Sequence, residues 1–137
     1  MQIKSLSPDE TRAFGARLAK ETNDGTIYAL IGSLGSGKTE FVRGFVAALS
    51  PDAAVCSPSF TIVNTYHTNK FIIHHFDFYR IKNADELIEI GYREYVNNDA
   101  VCLIEWADMF PEVLPETVRY VRFKEEKGTV RVISIDK

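Results

Sequence analysis

Hydrophobic positions along this chain switch between two spacings, and the switches mark its elements. Residues 26–31, Thr-Ile-Tyr-Ala-Leu-Ile, form an apolar, partly β-branched run that predicts a buried strand. A glycine-rich break follows. Then Val42, Phe45, Val46 and Leu49 recur at i, i+3, i+4 and i+7, the apolar stripe of a helix. Upstream, Ser7-Pro8-Asp9-Glu10 has the form of a capping box, with Ser7 as N-cap, Pro8 at the first helical position and Glu10 at the third. A helix is expected from there to about Lys20, stopping before the Asn23-Asp24-Gly25 turn signal. Downstream, β-rich stretches at 62–66 and 71–76 flank a turn at 67–70, and residues 83–95 read as one helix, with Leu87, Ile90 and Tyr95 apolar among acids. Residues 100–104 are a fully apolar strand. Two last strands, near 118–123 and 130–135, flank a turn at 124–128. Strands interleaved with helices imply an α/β fold with a mainly parallel central sheet and an antiparallel hairpin at its tail.

The glycine-rich break carries the chemistry. Gly32-Ser33-Leu34-Gly35-Ser36-Gly37-Lys38-Thr39 spells G-x-x-x-x-G-K-T, the phosphate-binding P-loop, between a predicted strand and a predicted helix as the motif requires. Glycines let backbone N–H groups converge on a phosphate, and the helix behind adds its partial positive charge. Lys38 is a flexible point charge able to reach terminal phosphates, and the Thr39 hydroxyl is a ligand suited to Mg²⁺. Glu40 is unusual. A carboxylate in the first helical turn suits the dipole but opposes phosphates unless it points away. The fold expected is therefore a three-layer, P-loop NTPase-like domain spanning residues 1–137.

Ligands of open α/β sheets bind beyond the carboxyl ends of the strands. Two acids stand at such ends, Asp77 after 71–76 and Glu105 after 100–104. Mg²⁺ on a nucleotide requires hard oxygen ligands, but spacing alone does not say which acid faces the metal. Trp106 is placed either beside a nucleotide or in the core or rim. His74 and His75 are adjacent on a strand and so face opposite sides, a poor pair for a metal. Ser57, Ser59 and Thr61 form a hydroxyl-rich segment that either reaches a γ-phosphate or makes a turn. Tyr79-Arg80 offers a phosphate-facing guanidinium or a surface salt bridge.

Composition narrows the partners. At 137 residues and 45% hydrophobic content the chain closes a single core. A net charge of −3, without a run of Lys and Arg, argues against a broad basic face that holds nucleic acid unaided; contact with RNA is expected to be shared with a partner. Cys56 and Cys102 lack metal or redox spacing and read as small buried hydrophobes of a reducing compartment. The start of the chain has no apolar signal core, and no run approaches membrane-spanning length, so a cytoplasmic location without membrane contact is expected. A small-molecule kinase is a competing reading, but no arginine cluster forms a lid. A GTP-binding switch module is another, but neither N-K-x-D nor a D-x-x-G after a strand occurs.

Taken in order, Gly32–Thr39, Ser57-Pro58-Ser59-Phe60-Thr61-Ile62-Val63, His75-Phe76-Asp77-Phe78-Tyr79-Arg80 and Ile104-Glu105-Trp106 resemble the bacterial TsaE family over nearly the whole chain. Its members are small ATPases of tRNA threonylcarbamoyladenosine biosynthesis. The resemblance implies ATP and Mg²⁺ as ligands, with Thr39 and Glu105 on the metal and Asp77 as the catalytic or switch-like aspartate alongside Lys38. It implies nucleotide contacts at Gly35, Ser36, Gly37, Lys38, Thr39, Glu40 and Trp106, with Glu10 and Gly128 at the pocket's edge. Ser57, Ser59 and Thr61 correspond to a mobile, switch-like loop. The implied partners are the TsaD–TsaB pair, with tRNA reached only through them, and ATP hydrolysis resets that synthase between cycles. Three positions depart from the family pattern. Ser33 stands where Asp is frequent, Glu40 where a second hydroxyl is common, and Ser59 where Thr is usual.

Overall fold

The computed structural model describes residues 1–58, 60–96 and 99–136. Seven strands form one sheet in the order β1-β7-β6-β2-β5-β4-β3. They are β1 (Gln2–Ser5), β2 (Ile27–Ile31), β3 (Val63–His67), β4 (Ile72–Asp77), β5 (Ala100–Glu105), β6 (Arg119–Glu125) and β7 (Arg131–Ile135). The four central strands, β6, β2, β5 and β4, are mutually parallel. Antiparallel pairing is confined to the two flanks, where β1 and β7 follow β6 and β3 follows β4. The expected tail hairpin is β6–β7. An additional strand, β1, closes that edge; with Ile3 as its single aliphatic residue between Gln2 and Lys4, it carries almost no strand pattern of its own.

One face of the sheet carries α1 (Pro8–Glu21) and α2 (Lys38–Leu49). Both helices pack over Tyr28, Leu30, Ile73, Val101, Leu103 and Val121. The start of α1 follows the capping-box pattern with its return bond moved one residue back: Ser7 Oγ accepts from Glu10 N at 3.2 Å, and Glu10 Oε1 accepts from Leu6 N, before the cap, at 3.0 Å. Its other end leaves carbonyls unpaired by the helix; Lys70 Nζ donates to Ala19 O and Lys20 O at 3.2 and 2.8 Å. The two helices approach closely because each presents a glycine at the crossing. A Cβ at Gly15 would lie 2.2 Å from Phe41 O, and one at Gly44 would lie 1.9 Å from Arg12 O.

The opposite face is covered by short pieces. Strand residues Ile27, Ala29, Phe76, Cys102 and Ile104 alternate with those above and meet Leu87 and Tyr92. Here the helix expected over 83–95 is two helices, α3 (Ala84–Glu89) and α4 (Tyr92–Tyr95). Gly91 separates them at φ 79°, the left-handed region that halts an α-helix. The third layer is thus thinner than its hydrophobic pattern suggested. Two 3₁₀ turns, Ala107–Met109 and Pro111–Val113, continue it without any sequence period to announce them. Cys102 is buried as expected, and burial pushes its thiol up to about 12. Cys56 corrects the expectation: it is exposed, because residues 53–58 run as irregular chain at the surface rather than in the core.

Candidate functional site

Three strands end at the same level. Leu30 of β2 is opposite Glu105 of β5, and Glu105 is opposite Asp77 of β4. This register brings two carboxylates that are 28 residues apart in sequence to the mouth of the loop leaving β2 (105 − 77). The loop turns into α2 through Gly37, whose φ of 105° excludes an unstrained side chain and lets the helix begin directly at Lys38. Ser36 Oγ is buried at this turn without a hydrogen-bond partner among the described residues.

Lys38 is folded back on the loop. Its Nζ donates to Gly32 O at 2.5 Å and lies 3.6 Å from the centroid of the Trp106 ring. Burial lowers its pKa, and the charges of Glu105, Asp77 and Asp108 act in the opposite direction. A negative charge in the cleft would offset the cost of that desolvation by favouring the ammonium form. The indole reaches this place because Trp106 adopts a left-handed backbone, φ 58°, immediately after β5. A bulky residue there is uncommon, and such outliers concentrate at functional sites. Tyr79 packs on the same indole with ring centroids 4.9 Å apart.

Thr39 Oγ1 donates to Glu105 Oε1 at a long 3.4 Å, while Glu105 Oε2 lies 2.5 Å from His75 Nε2. Glu105 and Asp77 are nearly inaccessible, at 3% and 6%. Asp77 Oδ1 accepts from Tyr79 N at 2.8 Å. A cleft of about 240 Å³ unites Lys38, Thr39, Asp77 and Glu105 with Gly35, Gly37, Ser57 and the apolar walls Leu34, Tyr79 and Trp106. The oxygens of Thr39 and Glu105 are hard donors on either side of a long contact, a set that fits Mg²⁺ held by one carboxylate, a hydroxyl and phosphate.

Glu40 borders this cleft, but its carboxylate is tied elsewhere. Its oxygens accept from Arg12 at 2.8 Å and Arg43 at 2.6 Å, so the charge is neutralised beside the phosphate cradle. A smaller cavity of about 100 Å³ adjoins the loop through Gly35, Gly37 and Glu40 and is closed by Pro8, Thr11, Thr129 and Arg131. Glu10 and Gly128 are therefore neighbours of this cavity rather than part of its lining. Glu10 caps α1, and the Gly128 carbonyl accepts from Arg131. Arg131 spans the two places, with Nη1 on Gly128 O at 2.8 Å and Nη2 on Gly35 O at 3.1 Å. Sequence reading did not find it, because an arginine at a strand start has no motif.

The hydroxyl-rich segment divides. Ser57 lines the cleft, Thr61 Oγ1 turns to Asn64 Oδ1 at 2.9 Å, and Ser59 lies outside the described residues. Among the described residues Arg80 neither lines the cleft nor meets a carboxylate; its guanidinium lies over the exposed Phe60 ring at 4.5 Å.

Comparison with known proteins agrees with this architecture. The family model for the threonylcarbamoyl adenosine biosynthesis protein TsaE matches residues 5–133. The tRNA threonylcarbamoyladenosine biosynthesis protein TsaE of Bacillus subtilis (strain 168) is 37% identical over 116 residues, covering 85% of this chain and 72% of that one. Its counterpart of the same name in Rickettsia prowazekii (strain Madrid E) is 34% identical over 132 residues, 96% of this chain and 91% of that one. The crystal structure of Bacillus subtilis YdiB superposes with a TM-score of 0.82 at 30% identity, covering 98% of this chain and 83% of that one. Matched by the family model and by these relatives over most of its length, the chain belongs to the TsaE family of threonylcarbamoyl adenosine biosynthesis proteins.

Proposed function

We propose that this chain is a weak, Mg²⁺-dependent ATPase that acts in the cytoplasm with TsaD and TsaB to modify tRNA, touching tRNA only through those partners. One observation supports this reading above the rest: the P-loop Lys38 and Thr39 share a cleft with Asp77 and Glu105, at the level ends of β2, β4 and β5. That is the arrangement phosphoryl transfer uses, a phosphate cradle beside acids for a cation and a water.

Lys38 exchanges Gly32 O and the Trp106 face for the terminal phosphates, whose negative charge offsets the cost of burying the ammonium. The backbone N–H groups after Gly35 hold the remaining phosphate oxygens, and the adjoining cavity at Thr11 and Arg131, too small for a whole nucleoside, receives one edge of it. Thr39 and Glu105 hold Mg²⁺, which supplies charge neutralisation at the phosphates when bound. Asp77 orients the attacking water, whose oxygen bonds to the γ-phosphorus as the bond to the ADP oxygen breaks, and the water's proton leaves with the inorganic phosphate formed. Leu34, Tyr79 and Trp106 form the apolar side of the cleft. Among the described residues no helix is long and apolar enough to cross a membrane.

Hydrolysis then serves a partner complex, resetting the synthase after each round. The test is multiple-turnover tRNA modification by TsaD, TsaB and ATP, with wild-type protein or Lys38→Ala. We expect repeated cycles with wild type only, and slow ATP hydrolysis by the isolated chain that changes on addition of the partners. Equal cycle numbers with both variants would sink the claim that ATP hydrolysis here drives the machine.

A further inference from the structure

We propose that His75 is a positioning residue for Glu105, holding one carboxylate oxygen so that the other faces Thr39 and the cation. The inference rests on the Mg²⁺-nucleotide reading above. It begins with the pleat. In the β4–β5 register Asp77 is directly opposite Glu105 and His75 is opposite Leu103, so His75 is the diagonal neighbour of Glu105 on one sheet face. A diagonal pair lies within reach of long side chains. That face is the one covered by α2, which brings Thr39 to the same carboxylate.

The contacts on Glu105 are divided between its oxygens. Oε2 lies 2.5 Å from His75 Nε2, and Oε1 lies 3.4 Å from Thr39 Oγ1. A carboxylate only accepts, so Nε2 carries the proton that it donates. His75 is fully buried, and among the described residues its Nδ1 has no hydrogen-bond partner. The contact thus places a proton on the ring nitrogen facing Glu105. Such a ring cannot rotate to another acceptor in its dry site. It fixes the carboxylate in one orientation before any ligand arrives, as outer groups do for metal ligands generally.

A histidine that merely fills space would be replaceable by an apolar residue. Three variants separate the roles. His75→Leu keeps bulk and removes the donor. His75→Gln places an amide N–H at nearly the reach of Nε2, and His75→Asn places one a methylene short. The measurement is affinity for a fluorescent ATP analogue, titrated with MgCl₂ and in EDTA, with thermal melting of each ligand-free variant beside it. We expect the ratio of affinities with and without Mg²⁺ to fall roughly tenfold or more in His75→Leu and to recover within about threefold in His75→Gln. If His75→Leu does not fold, the Asn and Gln pair carries the same contrast. Equal ratios in Gln and its donor-less or shortened counterpart would overturn the positioning role, whatever their melting temperatures. A wild-type protein whose nucleotide affinity ignores Mg²⁺ would overturn the underlying reading instead, and this inference with it; the wild-type titration alone tells the two failures apart.

Discussion

At the residue scale, the two adjacent histidines show how one strand assigns opposite physics to the same side chain. His75 looks toward α2 and Glu105, whereas His74 looks the other way, with Nδ1 2.9 Å from Thr65 Oγ1 and its ring edge-on to Tyr95 at 4.8 Å. Burial lowers the His74 pKa, and the neighbouring His67 adds to the shift. A depressed folded-state value means that the unfolded chain binds the proton more readily. The associated stability is therefore present above the unfolded value, about 6.5, and is lost as pH falls through the lower folded value. Urea unfolding at pH 7.5 and 5 should show a steeper acid loss for wild type than for His74→Gln. Parallel losses in the two proteins would refute the assignment. Glu40 makes the complementary point. In sequence it is an acid beside phosphates, yet Arg12 from α1 and Arg43 one turn on absorb its charge.

At the element scale, the α1–α2 crossing is where a single methyl group has the largest consequence. Alanine in place of a helical glycine normally adds roughly 1 kcal/mol of helix propensity. At Gly44 the added Cβ would fall 1.9 Å from Arg12 O, against backbone that cannot rotate aside. Overpacking of this kind costs about 1–3 kcal/mol or more, so the clash outweighs propensity and Gly44→Ala should be destabilising by about 2 kcal/mol in chemical denaturation. A stabilised Gly44→Ala protein would mean that the helices are further apart than described here. The crossing also serves the site. It sets α1's Pro8 and Thr11 against the loop as walls of the smaller cavity, so a loosened crossing should weaken nucleotide binding as well.

At the scale of the whole molecule, ligand binding and folding are linked through the level strand ends, since the cleft draws on β4, β5, α2 and the loop leaving β2 at once. A ligand that binds only the folded chain stabilises it by about 2.7 kcal/mol at one hundred times its Kd. For a domain of this size that corresponds to a rise in Tm of roughly 10 °C. We expect ATP with Mg²⁺ to produce such a shift and ATP with EDTA a smaller one, read by differential scanning calorimetry. Identical melting with and without saturating nucleotide would count against the cleft as a nucleotide site.

The sequence by itself determined the elements whose patterns are local: the capped α1, the buried strands at β2 and β5, the amphipathic α2, and the glycine loop between β2 and α2. Glycine, lysine and threonine at fixed spacing state their chemistry wherever the chain folds, and the ordered motifs sufficed to indicate the family. The tertiary structure alone decided what depends on register and crossing. Asp77 and Glu105 come level only because β4 pairs in parallel with β5, and His75 reaches Glu105 only along the diagonal of that pairing. Arg131 joins Gly128 to Gly35 across 96 residues of chain, a distance over which no local pattern carries information. The short β1 and the break at Gly91 were hidden for a related reason: each takes its form from its neighbours, an open sheet edge in one case and a left-handed turn inside an apolar period in the other.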